Sequence, residues 1–415
     1  MDNQFNDIYR VTADSVTNPG NLKKQRFIEE QQKQLQSAIA HRPSGIAYFE
    51  NMMYSGQPAT GSPRVGYFCN MIPQELIAAF GAQAVRIDCG NSAAATVGEE
   101  VLSGDICPLA KASFGKFLVS ESPAASCDVL IMPTSCDAKR KMGEVLNDIK
   151  PTFMFNLPPE QNHERFMSQT VDQMIRLSEF LHKHLGVRLS RRRLRDVIRQ
   201  YQRRTLMIRS IQDERIREPR SLSIRDFFLI IQSSLFSMVD LDEWISHAEA
   251  VLEEMKLFSA DRKNLRPRIV LTGAPMIWPN YKVLNLLEEC GADVVADTLC
   301  SGAQSCVDPV VIDETGKKAL IRALTNKYVY ASICPCFISQ TTRMNRIIDL
   351  VDQSRANGVV NHSLRLCQLF DIENYRIERT LKNKQVPFIN IRTDYSLEDT
   401  EQLRVRIEAF LETLW

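Results

Sequence analysis

Short apolar runs alternate with amphipathic stretches along the chain from Gly61 onward. An apolar run bounded by turn residues predicts a buried strand, and an apolar stripe that repeats every three or four residues predicts a helix. In the first half these patterns predict strands Arg64–Cys69, Ala84–Asp88 and Cys127–Pro133, and helices Pro73–Phe80 and Ala138–Ile149. Strands that alternate with helices are typical of βαβ units, so we expect a parallel sheet.

The middle of the chain has a different pattern, and the alternation then returns. Three long amphipathic stretches with few strand signals predict helices Glu164–Leu185, Ser190–Ser210 and Leu241–Leu257. After them the patterns predict a second set of strands and helices. The strands are Pro267–Thr272, Ala292–Asp297, Gly358–His362 and Pro387–Arg392, and the helices are Tyr281–Cys290, Met344–Gln353, Tyr375–Asn383 and Glu398–Leu414.

Two α/β halves around a helical middle are therefore the predicted fold class. We place a helical N-terminal segment at residues 1–60, which includes the breaker-poor stretch Asn21–Ala40. The first α/β domain is predicted over residues 61–158, a helical segment over 159–265 and the second α/β domain over 266–415.

The composition excludes several classes of protein. The 415 residues contain 51 Lys and Arg against 50 Asp and Glu, a formal net charge of +1. This balance argues against a surface built as a whole for nucleic acid or for an anionic membrane. No apolar run reaches the roughly 18–20 residues of a membrane span, and residues 1–7 lack the pattern of a signal peptide. We expect a cytoplasmic protein.

Eleven cysteines are the most unusual feature of the composition. Thiols stay reduced in the cytoplasm, so the alternatives are small buried apolar residues, a metal or cluster site, or a reactive thiol. Six cysteines lie at or near predicted strand ends or helix starts, where ligands bind in open α/β sheets. These are Cys69, Cys107 and Cys136 in the first half, and Cys300, Cys334 (after the apolar run Tyr328–Ala331) and Cys367 in the second.

Three thiols in each half suit iron–sulfur chemistry better than zinc. A structural zinc site needs four ligands and usually CxxC pairs, but the sequence has no CxxC, and Cys334-Pro-Cys336 is too tightly spaced. On spacing alone the buried apolar interpretation stays open for any of these cysteines. It is our prediction for Cys89, Cys127, Cys290 and Cys306, while Cys336 could replace Cys334 as a ligand.

Several segments in a fixed order resemble the 2-hydroxyacyl-CoA dehydratase / benzoyl-CoA reductase family. In the first half they are Gly66-Tyr-Phe-Cys69 with Pro73-Gln-Glu75-Leu, Ile106-Cys107-Pro108, and Pro133-Thr134-Ser-Cys136-Asp137-Ala-Lys139. In the second half they are Leu271-Thr-Gly273-Ala-Pro275, Asp297-Thr-Leu-Cys300-Ser-Gly302, Cys334-Pro335, Arg365-Leu-Cys367 and Thr393-Asp394-Tyr395. The resemblance covers nearly the whole chain from about Arg64.

The resemblance implies two Rossmann-like domains with an iron–sulfur centre in the cleft between them. It also implies a separate ATPase activator, with its own [4Fe-4S] cluster, that delivers low-potential electrons. Some members are unlike subunits with one [4Fe-4S] cluster each that act on acyl-CoA thioesters. Others are homodimers with a double-cubane [8Fe-9S] cluster. The six cysteines resemble this second type, and Gln368-Leu-Phe stands where acyl-CoA members usually have Asp-Pro-Tyr.

We therefore expect a homodimeric iron–sulfur reductase that accepts electrons from the activator and reduces a small molecule at a double-cubane cluster. The resemblance gives Cys69, Cys107, Cys136, Cys300, Cys334 and Cys367 as cluster ligands. The alternative is a [4Fe-4S] subunit of a 2-hydroxyacyl-CoA dehydratase, and a protein that only carries a cluster or electrons is a third. The sequence has no GxGxxG and no Walker A motif, so it supports neither a nicotinamide cofactor nor ATP hydrolysis in this chain.

Four further features have both a functional and a structural interpretation. His362 is a candidate proton donor or a core histidine. Lys139 and Lys141 could balance the charge of a cluster or be surface lysines, and Ser135 and Asp137 could simply cap a helix. The stretch Lys183–Arg225, with 14 Lys and Arg against 4 Asp and Glu, could bind the activator or CoA phosphates, or could be a solvated helix face. Nucleic acid is disfavoured because aromatic residues do not interleave with the charges.

Overall fold

The computed structural model describes residues 41–55, 61–119, 124–161, 164–236, 240–259, 265–306, 308–338 and 341–415. The predicted N-terminal helix Asn21–Ala40 lies outside these residues. The first described helix, α1, spans Ile46–Ser55 and packs against the helical middle of the chain.

The first half forms a four-stranded parallel sheet with helices around it. Its strands are β1 (Arg64–Tyr67), β2 (Gln83–Arg86), β3 (Val129–Pro133) and β4 (Thr152–Phe155), in the order β2-β1-β3-β4. Its helices are α2 (Gln74–Ala79), α3 (Ser92–Gly98), α4 (Pro108–Leu118) and α5 (Asp137–Asn147). Gly66 in the central strand β1 lies between Val85 and Leu130, where any Cβ would clash with Ile87 and Leu130.

The helical middle follows. It contains α6 (Glu164–Leu185), α7 (Arg191–Arg217), α8 (Ile224–Phe236) and α9 (Leu241–Leu257). The Ser190 hydroxyl accepts a hydrogen bond at the start of α7, and the Asp240 carboxylate does so at the start of α9, which satisfies backbone N–H groups there. Helix α8 is buried along nearly its whole length, yet none of the described helices is long and apolar enough to cross a membrane.

The second half repeats the sheet order of the first. Its strands are β5 (Arg268–Gly273), β6 (Asp293–Asp297), β7 (Gly358–Leu364) and β8 (Phe388–Thr393), all parallel in the order β6-β5-β7-β8. Its helices are α10 (Lys282–Glu289), α11 (Lys317–Thr325), α12 (Thr341–Ser354), α13 (Gln368–Asn383) and α14 (Thr400–Glu412). A 3₁₀ turn covers Ala303–Cys306, and a π-helical turn covers Asn326–Tyr330.

Two parallel sheets surrounded by helices confirm the predicted α/β fold class. Four elements were not predicted from the sequence: β4, α3, α8 and α11. The run Tyr328–Ala331 is not a strand, because residues 326–330 form the π-helical turn that continues α11. The sheets span residues 64–155 and 268–393, and the domain limits placed around them stay predictions.

The two halves share one of the hydrophobic cores. This core contains Tyr67 and Leu76 of the first half, Leu177 of α6, and Leu320 and Phe337 of the second half. Hydrogen bonds also cross between the two halves, for example from the amide of Gly90 to the carbonyl of Trp278, at 3.0 Å. The halves are therefore packed together, with the carboxyl ends of their strands at a common cleft where the cysteine-bearing loops meet.

Candidate functional site

Three of the six predicted ligands occupy the same local position. Cys107, Cys136 and Cys367 are the N-cap residues of α4, α5 and α13. The other three lie in loops: Cys69 after β1, Cys300 after β6, and Cys334 after the π-helical turn. Cys69 has a φ of 65°, in the left-handed region that a side chain rarely adopts, which is typical of a constrained functional loop.

The N-cap cysteines come together as one group, which we call the N-cap triad (Cys107, Cys136, Cys367). The thiols of Cys107 and Cys367 share a hydrogen bond, and the charge of Cys107 acts on Cys136, as does that of the nearby Cys334. The bond with Cys367 lowers the pKa of Cys107 to about 7, with help from the amides of Leu109 and Ala110. The free backbone amides and the partial positive charge at a helix N-terminus favour the thiolate over the thiol.

The loop cysteines form a second group, the loop triad (Cys69, Cys300, Cys334). Burial raises the pKa of Cys69, and the charge of Cys334 raises it further. Burial likewise raises the pKa of Cys300 to about 12, with further increases from Cys69 and Cys334. Mutual effects of this kind indicate that the three thiols lie in one region of the cleft.

Cys336 lies beside the loop triad. A hydrogen bond from its thiol lowers the pKa of Cys334, while the same bond raises its own. Cys336 is thus the donor and Cys334 the favoured thiolate. This arrangement supports Cys334 as the ligand of the pair, with Cys336 as its hydrogen-bonding neighbour.

Each triad takes thiols from both halves of the molecule. The N-cap triad combines Cys107 and Cys136 of the first half with Cys367 of the second. The loop triad combines Cys69 of the first half with Cys300 and Cys334 of the second. The sequence predicts three thiols at the edge of each sheet. In the structure each triad contains thiols from both halves, so a triad forms only when the two halves pack together.

Two cations and one carboxylate lie beside these thiols: Arg86 and Asp88 are buried, and Lys139 is largely buried. Arg86 Nε is 2.8 Å from Asp88 Oδ2, which also accepts the Cys69 amide at 2.8 Å. Lys139 Nζ is 3.7 Å from Asp88 Oδ1. Burial lowers the pKa of Lys139, but the negative charges of Cys69, Asp88, Cys136 and Cys300 outweigh this effect and raise it.

The donor set fits an iron–sulfur cluster better than a single metal ion. In the described ranges no three His, Cys, Asp or Glu side chains meet as ligands of one ion. The thiolates of a cubane bind different iron atoms and so stand farther apart than the ligands of a single ion. Six thiols beside positive charge match the soft donors that iron–sulfur clusters use.

Two depressions in the surface approach the triads from different sides. A small polar pocket of about 50 Å³ reaches the loop triad, where its lining includes Asn70, Cys300, Cys334 and Arg343. A larger groove of about 810 Å³ lies at the N-cap triad and is lined by residues that flank it, among them Pro108, Lys111, Arg365, Leu366 and Tyr395.

Like Cys336, the remaining cysteines are not members of either triad, although Cys107 and Cys367 pack against the hydrophobic core that contains Cys89. Cys127 and Cys306 are buried in hydrophobic cores, and Cys89 is buried in a third. Cys290 caps the C-terminus of α10, half-buried beside Glu408 and Arg404. These positions agree with the prediction that the four are not ligands, which stays a prediction.

His362 has the environment of a core histidine. It lies in the central strand β7 with 2% of its surface exposed, and its Nδ1 is 3.0 Å from the carbonyl oxygen of Ala274. Burial lowers its pKa to about 4, helped by the charge of Lys282. A neutral imidazole held in this way is a poor proton donor near pH 7, so its catalytic role stays a prediction without structural support.

The other candidate residues near Cys136 separate into exposed and buried. Lys141 is exposed and pairs with Glu144, and the Asp137 side chain is exposed at the first position of α5. Lys139 is buried among the thiols. It lies three residues before the buried Met142 and seven before Leu146, so helical periodicity would have placed it on the inner face.

The basic stretch 183–225 likewise contains both buried and exposed residues. Arg204 and Arg215 are buried and donate to Gln74 and to the carbonyl of Val294, which ties α7 to both halves. Arg192, Arg203 and Arg217 are exposed and pair with acidic neighbours. Part of this basic stretch is therefore structural, while the rest is a charged surface.

Sequence reasoning missed three polar residues that hold the loop thiols. Arg86 and Asp88 surround Cys69, and Asp297 accepts the amides of Leu299 and Ala303 on either side of Cys300. Burial raises the pKa of Asp297 to about 6, against these hydrogen bonds. The available signal was a charged residue in or directly after an otherwise apolar strand, where only a partnered charge is tolerated.

Comparison with known proteins shows a match to a protein family. The model of the 2-hydroxyglutaryl-CoA dehydratase D-component matches residues 69–414. The match begins at the first predicted ligand and contains all six.

Three relatives span most of the chain. A protein of Escherichia coli K12 described as "Putative dehydratase subunit YjiM" is 29% identical over 85% of this chain and 92% of its own. The beta subunit of (R)-2-hydroxyglutaryl-CoA dehydratase from Acidaminococcus fermentans is 19% identical over 91% and 99%. The beta subunit of (R)-phenyllactyl-CoA dehydratase from Clostridium sporogenes is 20% identical over 86% and 92%.

Proposed function

The chain belongs to the family of the 2-hydroxyglutaryl-CoA dehydratase D-component, and from this membership we propose that it is an iron–sulfur redox enzyme. Its six cleft cysteines hold a double-cubane [8Fe-9S] cluster. The electron donor is a separate ATPase activator with its own [4Fe-4S] cluster, the substrate is a small molecule, and the working assembly is a homodimer.

The two thiol triads are the observation that carries this proposal. Three thiolates leave a cubane one ligand short, and one sulfide shared by two cubanes supplies both missing ligands. If only one cubane were bound, the other three thiols would remain close together, where they repel each other as thiolates and oxidise readily. Two adjacent triads therefore favour two joined cubanes.

The chain contributes ligands, hydrogen bonds and a dry environment. When bound, such a cluster supplies one-electron transfer at low potential. The amides of Leu109 and Ala110 donate to Cys107, and the amide of Phe370 donates to Cys367. A protein sets the reduction potential of a cluster through hydrogen bonds to sulfur and through exclusion of water.

The pocket at the loop triad supports a small substrate. At about 50 Å³ it holds only a few non-hydrogen atoms, and Asn70, Lys327 and Arg343 make its lining polar. A molecule bound there lies next to Cys300 and Cys334. A bulky thioester does not fit this pocket.

A second candidate function is that of a 2-hydroxyacyl-CoA dehydratase subunit with one [4Fe-4S] cluster. The larger groove favours it, because about 810 Å³ admits an extended substrate, and Arg365 and Arg392 at its rim could bind phosphate. The names of all three relatives describe dehydratase subunits, and two of them name acyl-CoA substrates. The two functions differ in the iron they require and in the need for an unlike subunit.

Iron content of the anaerobically purified protein tests the proposal. We expect about 8 Fe per chain for the double cubane, against about 4 for a dehydratase subunit. Cys136→Ser and Cys300→Ser each remove one ligand from a different triad and should lose iron. Cys290→Ser is the matched control, because Cys290 lies at the end of α10 and should keep full iron. About 4 Fe in fully active protein would favour the second function, and equal iron in all three variants would exclude the ligand assignment.

A further inference from the structure

We infer that Lys139, held in place by Asp88, lies between the two thiol triads and balances the negative charge of both. The inference rests on the proposed iron–sulfur function and assigns a role to a residue that is not a ligand. Lys139 lies on α5, three residues after the N-cap Cys136 and on the face that turns into the cleft.

The burial of Lys139 is the first argument. Its side chain is 12% exposed, whereas that of Lys141, two residues along the same helix, is 77% exposed and pairs with Glu144 at 2.7 Å. A buried ammonium group loses its hydration and is retained only where negative charge compensates it.

Lys139 shares its carboxylate partner, Asp88, with two other groups, and its own contact with Asp88 is the longest of the three. Asp88 Oδ2 already accepts from Arg86 and from the Cys69 amide, each at 2.8 Å. Its Oδ1 is 3.7 Å from Lys139 Nζ and has no hydrogen-bond partner among the described residues. Because Arg86 and Asp88 form a pair whose charges cancel, Lys139 supplies the net positive charge of this group.

The field of Lys139 reaches both triads. Lys139 follows Cys136 of the N-cap triad by less than one helical turn, and its Nζ is 3.7 Å from Asp88, the carboxylate that accepts the amide of Cys69 in the loop triad at 2.8 Å. A cation near both groups of thiolates stabilises each of them and reduces their mutual repulsion.

The consequence for a bound cluster has a definite sign. Reduction adds negative charge, and a nearby fixed cation favours the reduced form. Replacement of Lys139 by a neutral side chain should therefore lower the midpoint potential, and replacement of Asp88 by a neutral one should raise it. A residue needed only for packing would not produce shifts of opposite sign in two neighbouring variants.

The test compares four variants of the full chain, purified anaerobically, by iron content and by a redox titration followed by EPR. We expect a lower midpoint potential or loss of iron in Lys139→Gln, recovery toward wild type in Lys139→Arg, and a higher potential in Asp88→Asn. Lys141→Gln is the matched control on the exposed face of α5 and should behave as wild type.

The outcomes distinguish the role of Lys139 from the proposed cluster function on which it rests. Lys139→Gln and Asp88→Asn with full iron and wild-type potentials would overturn the role of Lys139 while the cluster assignment stands. Shifts of the same sign in both variants would overturn it as well. If Lys139→Gln does not fold, the sign of the Asp88→Asn shift still decides. Wild-type protein without iron would overturn the proposed function and this inference together.

Discussion

At the scale of single residues, buried polar side chains decide where the thiols stand. Asp88 holds the amide of Cys69, and Asp297 holds two amides on the loop of Cys300. Gly302 lies so close to Asp297 and Phe228 that a Cβ atom would overlap both, so the loop has little freedom to move. Two of the three loop cysteines, Cys69 and Cys300, are thus positioned by a buried carboxylate.

His362 gives a residue-scale prediction for the pH dependence of stability. Its pKa is about 4 in the folded protein, lowered by burial and by Lys282, and about 6.5 when unfolded. Between these values the unfolded chain binds more protons, so stability is full above pH 6.5 and is lost as the pH falls toward 4. The loss should approach about 3 kcal/mol.

His362→Gln keeps a side-chain N–H group but does not titrate, so it should remove this part of the pH dependence. Denaturant midpoints of wild type and variant, measured from pH 7 to pH 4, check the prediction. Curves that stay parallel over this range would contradict it and would leave room for a titrating, functional His362.

At the scale of elements, the starts of three helices and one π-helical turn position residues of the candidate site. Helices α4, α5 and α13 begin at cysteines, so their N-termini direct partial positive charge at the N-cap triad. The π-helical turn 326–330 brings Tyr328 and Lys327 to Glu75 of α2 and leads the chain to Cys334. Such turns occur frequently at functional sites.

Removal of the Tyr328 hydroxyl should loosen this turn. Tyr328 donates to Glu75 Oε2 at 2.6 Å, and Glu75 is fully buried, so Tyr328→Phe leaves a buried carboxylate oxygen without its donor. We expect a loss of about 1–3 kcal/mol in the free energy of unfolding. Tyr375→Phe on the exposed face of α13 is the control and should change little. Equal stability of the two variants by thermal denaturation would show that the contact does not hold the turn.

At the scale of the whole molecule, the cleft is where the two halves depend on each other. Each triad combines thiols of both halves, and the core around Tyr67, Leu177 and Leu320 joins the same parts of the chain. A cluster bound by such triads is a crosslink between the halves. Binding free energy of this kind adds to the stability of the folded state.

Removal of iron should therefore lower the melting temperature of the whole protein. We expect holoprotein to melt several degrees above anaerobically prepared apoprotein, and aerobic exposure to bleach the protein and reduce the difference. Differential scanning calorimetry of both forms, with Cys136→Ser as a variant that should not respond to chelation, is the measurement. Identical melting of apoprotein and holoprotein would contradict a cluster shared between the halves.

The sequence by itself determined the class of fold and the identity of the candidate thiols. Strand and helix periods are local, so Glu164–Leu185 and Leu241–Leu257 were predicted with the limits that the structure has. The six cysteines could be selected because strand ends and helix starts are also local features. Strand β4 was missed although, like the predicted strand β2, it has four residues and lies at the edge of the same sheet.

Only the tertiary structure decided which thiols meet and which charges accompany them. Cys136 and Cys367 are 231 positions apart in sequence but belong to one triad, since the packing of the two halves brings their helix starts together. The distinction between Lys139 and Lys141 likewise depends on what covers each face of α5. Contacts between distant segments arise from packing and burial, which no local pattern in the sequence records.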